Sequence, residues 1–164
     1  MEKRIGVLFV SRRNSLRSVL AESCLMYLGG KKFRALSCGQ PGHIALGVHP
    51  AAIGALTMAS IPVAFDTPRD WNALVRSGAP MVDFVITLDA ELAQDLPRWP
   101  GQPDVAVWEY PDAASLRSGE DAAVTAIRTL YSLHRRLEFL IALPLKSRDR
   151  AAVRSDLRDL AYLQ

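Results

Sequence analysis

The sequence predicts an α/β domain: a doubly wound, four-stranded parallel sheet flanked by helices, with one extra helix at the C-terminal end. Three observations lead there. Ile5 to Val10 is a largely apolar run of the kind buried on both faces of a parallel sheet. Strand patterns then alternate with helix patterns, the signature of strand-helix-strand units with right-handed crossovers. Finally, 164 residues with 49% hydrophobic content suffice for one core and leave no room for a second independent one.

Taken in order, Ser15 to Leu28 shows helical spacing through Leu16, Leu20, Cys24 and Leu28, and Gly29-Gly30 stops that helix. Phe33 to Cys38 reads as the second strand. A loop through Gly39, Pro41, Gly42 and Gly47 follows, and Pro50 opens a helix carrying Ile53, Leu56 and Thr57 that ends by Ile61-Pro62. Asp70 to Arg76 can form a short helix between Pro68 and Gly78. Met81 to Leu88 reads as the third strand, with Asp83 its only charge and hence a central place in the sheet. Ala90 to Asp95 gives a helical turn, and Val105 to Trp108 the last strand. From Gly119 to Pro144 the chain is helical, with Val124, Ile127, Leu130, Tyr131, Leu137, Leu140 and Ile141 at helical intervals.

Residues 1–144 therefore read as one domain and 145–164 as a helical extension. In the extension, Arg148 to Leu163 places Val153, Leu157, Leu160, Ala161 and Leu163 on one face, which either folds back on the domain or pairs with a second copy as a homodimer.

Twenty Lys plus Arg against seventeen Asp plus Glu leave a net charge of +3, a mild bias toward anionic ligands. No apolar run reaches the roughly 20 residues of a membrane span, and no secretory leader pattern is present, so the expectation is a cytoplasmic protein with no membrane partner. Cys24 and Cys38 form no C-x-x-C pair and read as small buried hydrophobes. With His43, His49 and His134 scattered, no metal site is expected and no cofactor is called for. The three histidines read as surface or helix-start residues, and Trp71, Trp99 and Trp108 as packing residues, Trp108 bordering the pocket.

The chemistry concentrates in Ser11-Arg12-Arg13-Asn14-Ser15-Leu16-Arg17-Ser18, a polar loop between the first strand and the first helix. A loop so placed aims backbone N–H groups and a helix N-terminus at one point, which makes an anion site. It also leaves the carboxyl end of a strand, where open parallel sheets bind their ligands. All eight residues are candidates for oxyanion binding.

The loop resembles the phosphate loop of the low-molecular-weight protein tyrosine phosphatases and thioredoxin-coupled arsenate reductases, whose pattern is a nucleophilic Cys, five residues, then Arg-Ser. Further likenesses are Ser37-Cys38-Gly39, Gly47-Val48-His49-Pro50, Asp83 to Leu88, and Trp108-Glu109-Tyr110-Pro111-Asp112, spanning about residues 4 to 140. The resemblance implies the family's fold. It also implies roles: Ser11 at the nucleophile position, Arg17 as oxyanion clamp, Asn14 as a loop brace tolerating left-handed angles, Ser18 as the hydroxyl that stabilises the thiolate, and Asp112 as general acid.

Five departures bear on activity. Ser11 stands where the family has Cys, and an unassisted alcohol stays protonated at neutral pH in the same field that ionises a thiol. Arg13 replaces a loop Gly, which implies shifted or strained backbone; Leu16 replaces a frequent Cys; Ala113 follows Asp112 where the family has Pro. The reductases' resolving-cysteine positions hold Asp89 and Leu96, so this chain cannot run a disulfide relay. Departures at several positions at once point to divergence rather than a single Cys-to-Ser exchange.

The reading that follows is an oxyanion-binding protein for phosphate, arsenate or a phosphorylated protein partner, catalytically impaired. One alternative is an active phosphatase using Ser11 or water, with Arg17 and Asp112. The other is a basic interaction module in which Arg12, Arg13 and Arg17 join Lys31, Lys32 and Arg34; no aromatic-interleaved motif accompanies them, which argues against nucleic acid.

Overall fold

Residues 3–65, 67–116, 118–145 and 149–163 are described by the structure, a computed structural model. Four strands, β1 (Ile5–Val10), β2 (Phe33–Cys38), β3 (Phe84–Thr87) and β4 (Asp104–Val107), form one sheet in the order β2-β1-β3-β4, every pair parallel. The helices are α1 (Arg17–Gly29), α2 (Pro50–Met58), α3 (Asn72–Val75), α4 (Gly119–Ala142) and α5 (Arg150–Asp159). The four-stranded parallel sheet flanked by helices that the sequence predicts, with an extra helix at the C-terminal end, is the architecture observed.

β1 is buried at all six positions because it has neighbours on both edges and cover on both faces. Its alternate side chains serve two cores. Ile5, Val7 and Phe9 join the larger one with α1, α2, α4 and α5, whereas Leu8 and Val10 join a smaller one with Cys38, Trp71, Leu74, Val85, Leu92 and Trp99. The two faces are covered unequally. On the smaller face the only helix of the described residues is the four-residue α3, and the β3–β4 connection contributes just a 3-10 turn at Ala90–Leu92 instead of a full crossover helix. Trp71 and Trp99 fill that face edge to face, 6.5 Å apart.

Several boundaries contract relative to expectation. β3 starts at Phe84, and Asp83 sits just before it, where its carboxylate accepts from Gly6 N at 2.8 Å. α1 starts at Arg17 with Leu16 as its cap residue. On α4, Val124 and Tyr131 face solvent, while Ala122, Ala126, Leu130, Leu133, Leu137 and Leu140 make the buried stripe. Small Ala residues let α4 approach closely, and a scan for large apolar residues passes over them. Ile53 on α2 likewise points outward, with Leu56 buried.

The tail helix begins at Arg150; Arg148 lies outside the described residues. Its apolar stripe is spent on this chain's own core, Val153 and Leu157 being buried there. Arg150 and Arg154 both bind Asp104 of β4, at 3.1 and 2.9 Å. Trp108 Nε1 donates to Leu157 O at 3.0 Å, so this indole faces the tail and does not border the ligand loop as expected. No helix among the described residues is long and apolar enough to cross a membrane.

Candidate functional site

The sheet order places the functional loop. From β1 the chain crosses to β2 on one side and then returns to β3 on the other, so the loop after β1 opens at the point where strand order reverses. The loops after β3 and β4 flank it at the same carboxyl end.

Residues 11–16 form no regular structure, and their carbonyls turn outward: Arg12 O accepts from Gln40 N, Arg13 O from Ala45 N, Ser15 O from His49 N and Leu16 O from Leu20 N. Their N–H groups are left over. Among the described residues, no hydrogen bond uses the amides of Arg12, Arg13, Asn14, Ser15, Leu16 or Arg17. Successive free amides at the start of a thirteen-residue helix are the donors of an anion cradle. Gly39 lies against this loop so closely that a Cβ would meet Arg12 O at 2.9 Å and Asn14 N at 3.0 Å; only glycine fits there.

Asn14 is the loop's brace, as expected, with φ +52°. Its Nδ2 donates to Ser18 Oγ and to Ser37 Oγ, both at 2.9 Å, and its Oδ1 accepts from Arg69 N at 2.9 Å. Arg13 is absent from the residues with positive φ, so the chain holds a side chain at this position without left-handed strain. Ser11 Oγ lies 2.7 Å from Ser18 Oγ. Because Asn14 already donates to Ser18, the Ser18 hydroxyl can pass its own proton toward Ser11, the polarity that supports an anion at position 11 rather than one that removes a proton from it.

The loop arginines correct the simple picture of an unopposed basic cluster, since each is matched by a carboxylate from a flanking loop. Arg12 pairs with Glu91 at 2.7 Å, and Arg13 with Asp112 at 2.6 Å. Arg17, 4% exposed, donates from Nη1 to Leu88 O and Tyr110 O, and its Nη2 lies 3.2 Å from Asp89 Oδ2 and 3.6 Å from Asp112 Oδ1. Asp89 also caps the following 3-10 turn by accepting from Glu91 N. The structure thus brings Ser11, Arg13, Arg17 and Ser18, from the loop after β1 and the start of α1, together with Asp112 from the loop after β4.

Sequence reasoning missed Asp89, Glu91, Ser37 and Arg69 as site residues. Asp89 was legible only as a missing cysteine and Ser37 only as part of the Ser37-Cys38-Gly39 likeness; Glu91 and Arg69 carry no motif. Glu22 was missed too. It sits one turn beyond Ser18 on α1 and is 6% exposed. Burial raises its carboxyl above the ordinary value, opposed by a hydrogen bond to Ser37 and the charge of Arg69. The folded state therefore holds this proton more tightly than the unfolded chain, a contribution to stability present below pH 4.5 and lost as pH rises through the raised value. Glu22→Gln is expected to be neutral near pH 4 and stabilising at pH 7, read from urea midpoints at the two pH values; equal midpoints to the parent at pH 7 contradict it.

Of the remaining candidates, Cys24 and Cys38 are buried free thiols, and burial pushes Cys24 up to about 12 and Cys38 higher, the opposite of a nucleophile's environment. His49 caps α2, its Nδ1 accepting from Ala51 N at 3.0 Å, and His134 pairs with Glu138 one turn on. Lys32 is bound to Ile141 O. No cluster of metal-ligating side chains occurs among the described residues.

Comparison with known proteins agrees with this geometry. Residues 6–110 match the family model of the low molecular weight phosphotyrosine protein phosphatase. A glutaredoxin arsenate reductase from Synechocystis is 33% identical over 112 residues, 67% of this chain and 81% of that protein. Among solved structures, an arsenate reductase in a phosphate-binding state is 28% identical with a TM-score of 0.65, over 84% of this chain and 97% of the other. A tyrosine phosphatase from Escherichia coli, solved with sulphate, shares the fold at 17% identity and a TM-score of 0.64, over 84% and 99%. With a cradle of free amides at the sheet's switch point and a family model covering most of the sheet, the chain belongs to the low molecular weight phosphotyrosine protein phosphatase family.

Proposed function

We propose that this chain binds a tetrahedral oxyanion, phosphate, arsenate or the phosphoryl group of a protein partner, in the loop Ser11 to Ser18, and turns it over poorly or not at all. The observation carrying the binding half is the run of amides from Arg12 to Arg17 with no protein acceptor, around a loop whose floor is nearly closed to solvent: Ser11, Asn14, Ser15 and Leu16 are at most 4% exposed. Buried donors without acceptors are costly, and an anion would supply acceptors to several at once.

Two features support the impaired half. A serine nucleophile needs a base, and the side chain in contact with Ser11 Oγ is another hydroxyl, Ser18. Asp112, at the general-acid position, is engaged by two arginines in place of a leaving group, with one oxygen on Arg13 and the other 3.6 Å from Arg17. The basic-module reading is disfavoured by the pairing of all three loop arginines with carboxylates.

Isothermal titration with inorganic phosphate, arsenate and vanadate is expected to give dissociation constants at or below about 1 mM. Heat change absent for all three at millimolar ligand would sink the binding half. Turnover of an aryl phosphate by purified protein, lost in Arg17→Ala, would overturn the impaired half.

A further inference from the structure

Resting on the oxyanion reading just given, we infer that Arg13, held across the loop by Asp112, is a specificity residue that makes this site prefer a free inorganic oxyanion over a phosphate monoester. The ion pair joins residues 99 positions apart, with Nη1 and Oδ2 2.6 Å from each other. It continues inward, since the other oxygen of Asp112 is 3.6 Å from Arg17 Nη2. The result is a series from the outside in: Arg13, Asp112, Arg17.

Exposure orders the same residues. The side chains of Arg13 and Asp112 are 37% and 25% exposed, whereas that of Arg17 is 5% exposed and the loop floor at Ser11 almost fully covered. The Arg13–Asp112 pair is therefore the solvent-facing end of the series, and Arg17 beside the loop floor its covered end.

A tetrahedral anion presents three oxygens to such a cradle and turns the fourth outward. In an inorganic ion that fourth oxygen is charged or carries a proton, and a guanidinium fork can bind it; in a monoester it carries carbon, and the chain of atoms beyond it needs an open exit. On this inference the Arg13 guanidinium, paired with Asp112, stands at that corner. A partly exposed ion pair of this kind is weak, so an entering ion can draw Arg13 off Asp112 and onto itself. An ester gains nothing from the exchange and meets the side chain as bulk.

The test compares inorganic phosphate with phenyl phosphate by isothermal titration, on the parent chain, Arg13→Gly and Arg13→Ala, with thermal unfolding to establish that each variant is folded. Alanine serves where glycine loosens the loop. The parent is expected to prefer inorganic phosphate by at least about tenfold, and removal of the Arg13 side chain to narrow that ratio by about tenfold through gained phenyl phosphate binding and weakened phosphate binding. Equal affinity of the parent for the two ligands, or an unchanged ratio in both folded variants, overturns the cap while leaving oxyanion binding intact. Binding of neither ligand to any of the three proteins overturns the oxyanion reading and the cap together.

Discussion

Replacing Arg17 by Ala is expected to destabilise the fold by about 3–5 kcal/mol, because it removes the nearer cation from Asp89, a carboxylate held in the interior, and leaves it, among the cations of the described residues, only the longer contact with Arg12 Nε at 3.9 Å. Asp89 is 8% exposed and its Oδ2 lies 3.2 Å from Arg17 Nη2; two carbonyls, Leu88 O and Tyr110 O, lose their side-chain donor in the same step. Arg17→Lys is expected to recover only part of this, since an ammonium cannot span both carbonyls and the carboxylate as a planar fork does. Removing both partners is the decisive comparison. In Arg17→Ala/Asp89→Ala no charge remains buried without its counterpart, so the double variant is expected to be more stable than Arg17→Ala alone, measured by urea denaturation. A double variant as unstable as the sum of the two singles would show that the pair is not coupled. The same arginine fastens the end of β3 to the segment after β4, so its loss also leaves Asp112 held by Arg13 alone among the described residues.

Trp108→Ala is expected to cost about 3–5 kcal/mol, the range for emptying a fully buried large aromatic site. Trp108 has no exposed surface, joins the larger core, and donates from its indole to Leu157 O in the tail at 3.0 Å. Arg136 adds a second link: its Nη2 donates to Ala161 O and its Nε to Leu163 O while its guanidinium lies 4.7 Å from the Tyr110 ring centre and 5.9 Å from that of Trp108. Trp108→Phe keeps most of the volume and forfeits the hydrogen bond, for an expected loss of about 1–3 kcal/mol including the stranded carbonyl. Guanidinium denaturation orders the three proteins; Trp108→Ala within about 1 kcal/mol of the parent would show that the tail does not rest on this residue. These contacts also make the tail part of the frame that holds the segment from Trp108 to Asp112, since Tyr110 is fixed by Arg136, by Ser132 at 2.9 Å and by its amide on Leu88 O.

What the chain's local pattern conveyed, and where it fell short, follows one line. β1 was legible to the residue because a strand buried on both faces has no polar interruption; β2, an edge strand with Arg34 exposed, was legible because Gly29-Gly30 and Gly39 bound it. The left-handed Asn14 was legible because few side chains tolerate that angle. α4 was legible in extent but not in facing, since its buried stripe runs through Ala122 and Ala126 while Val124 and Tyr131 are exposed. Of the two alternatives at Arg13, shifted or strained backbone, the structure shows angles a side chain permits, and the loop's left-handed residue is its neighbour, Asn14. Trp108 was placed beside the ligand loop on proximity along the chain, and the indole instead turns toward a helix that begins more than forty residues later.

By itself the sequence determined the order of strands and helices, the anion-seeking loop and the loss of its thiol, since these depend on residue types and on spacings of a few positions. Only the tertiary structure decided which charges meet: Arg12 with Glu91, Arg17 with Asp89, and Arg13 with Asp112. The physical reason is that crossovers of the parallel sheet gather loops from far along the chain at one carboxyl end, and ion pairing acts through distance in space, on which separation in sequence is silent.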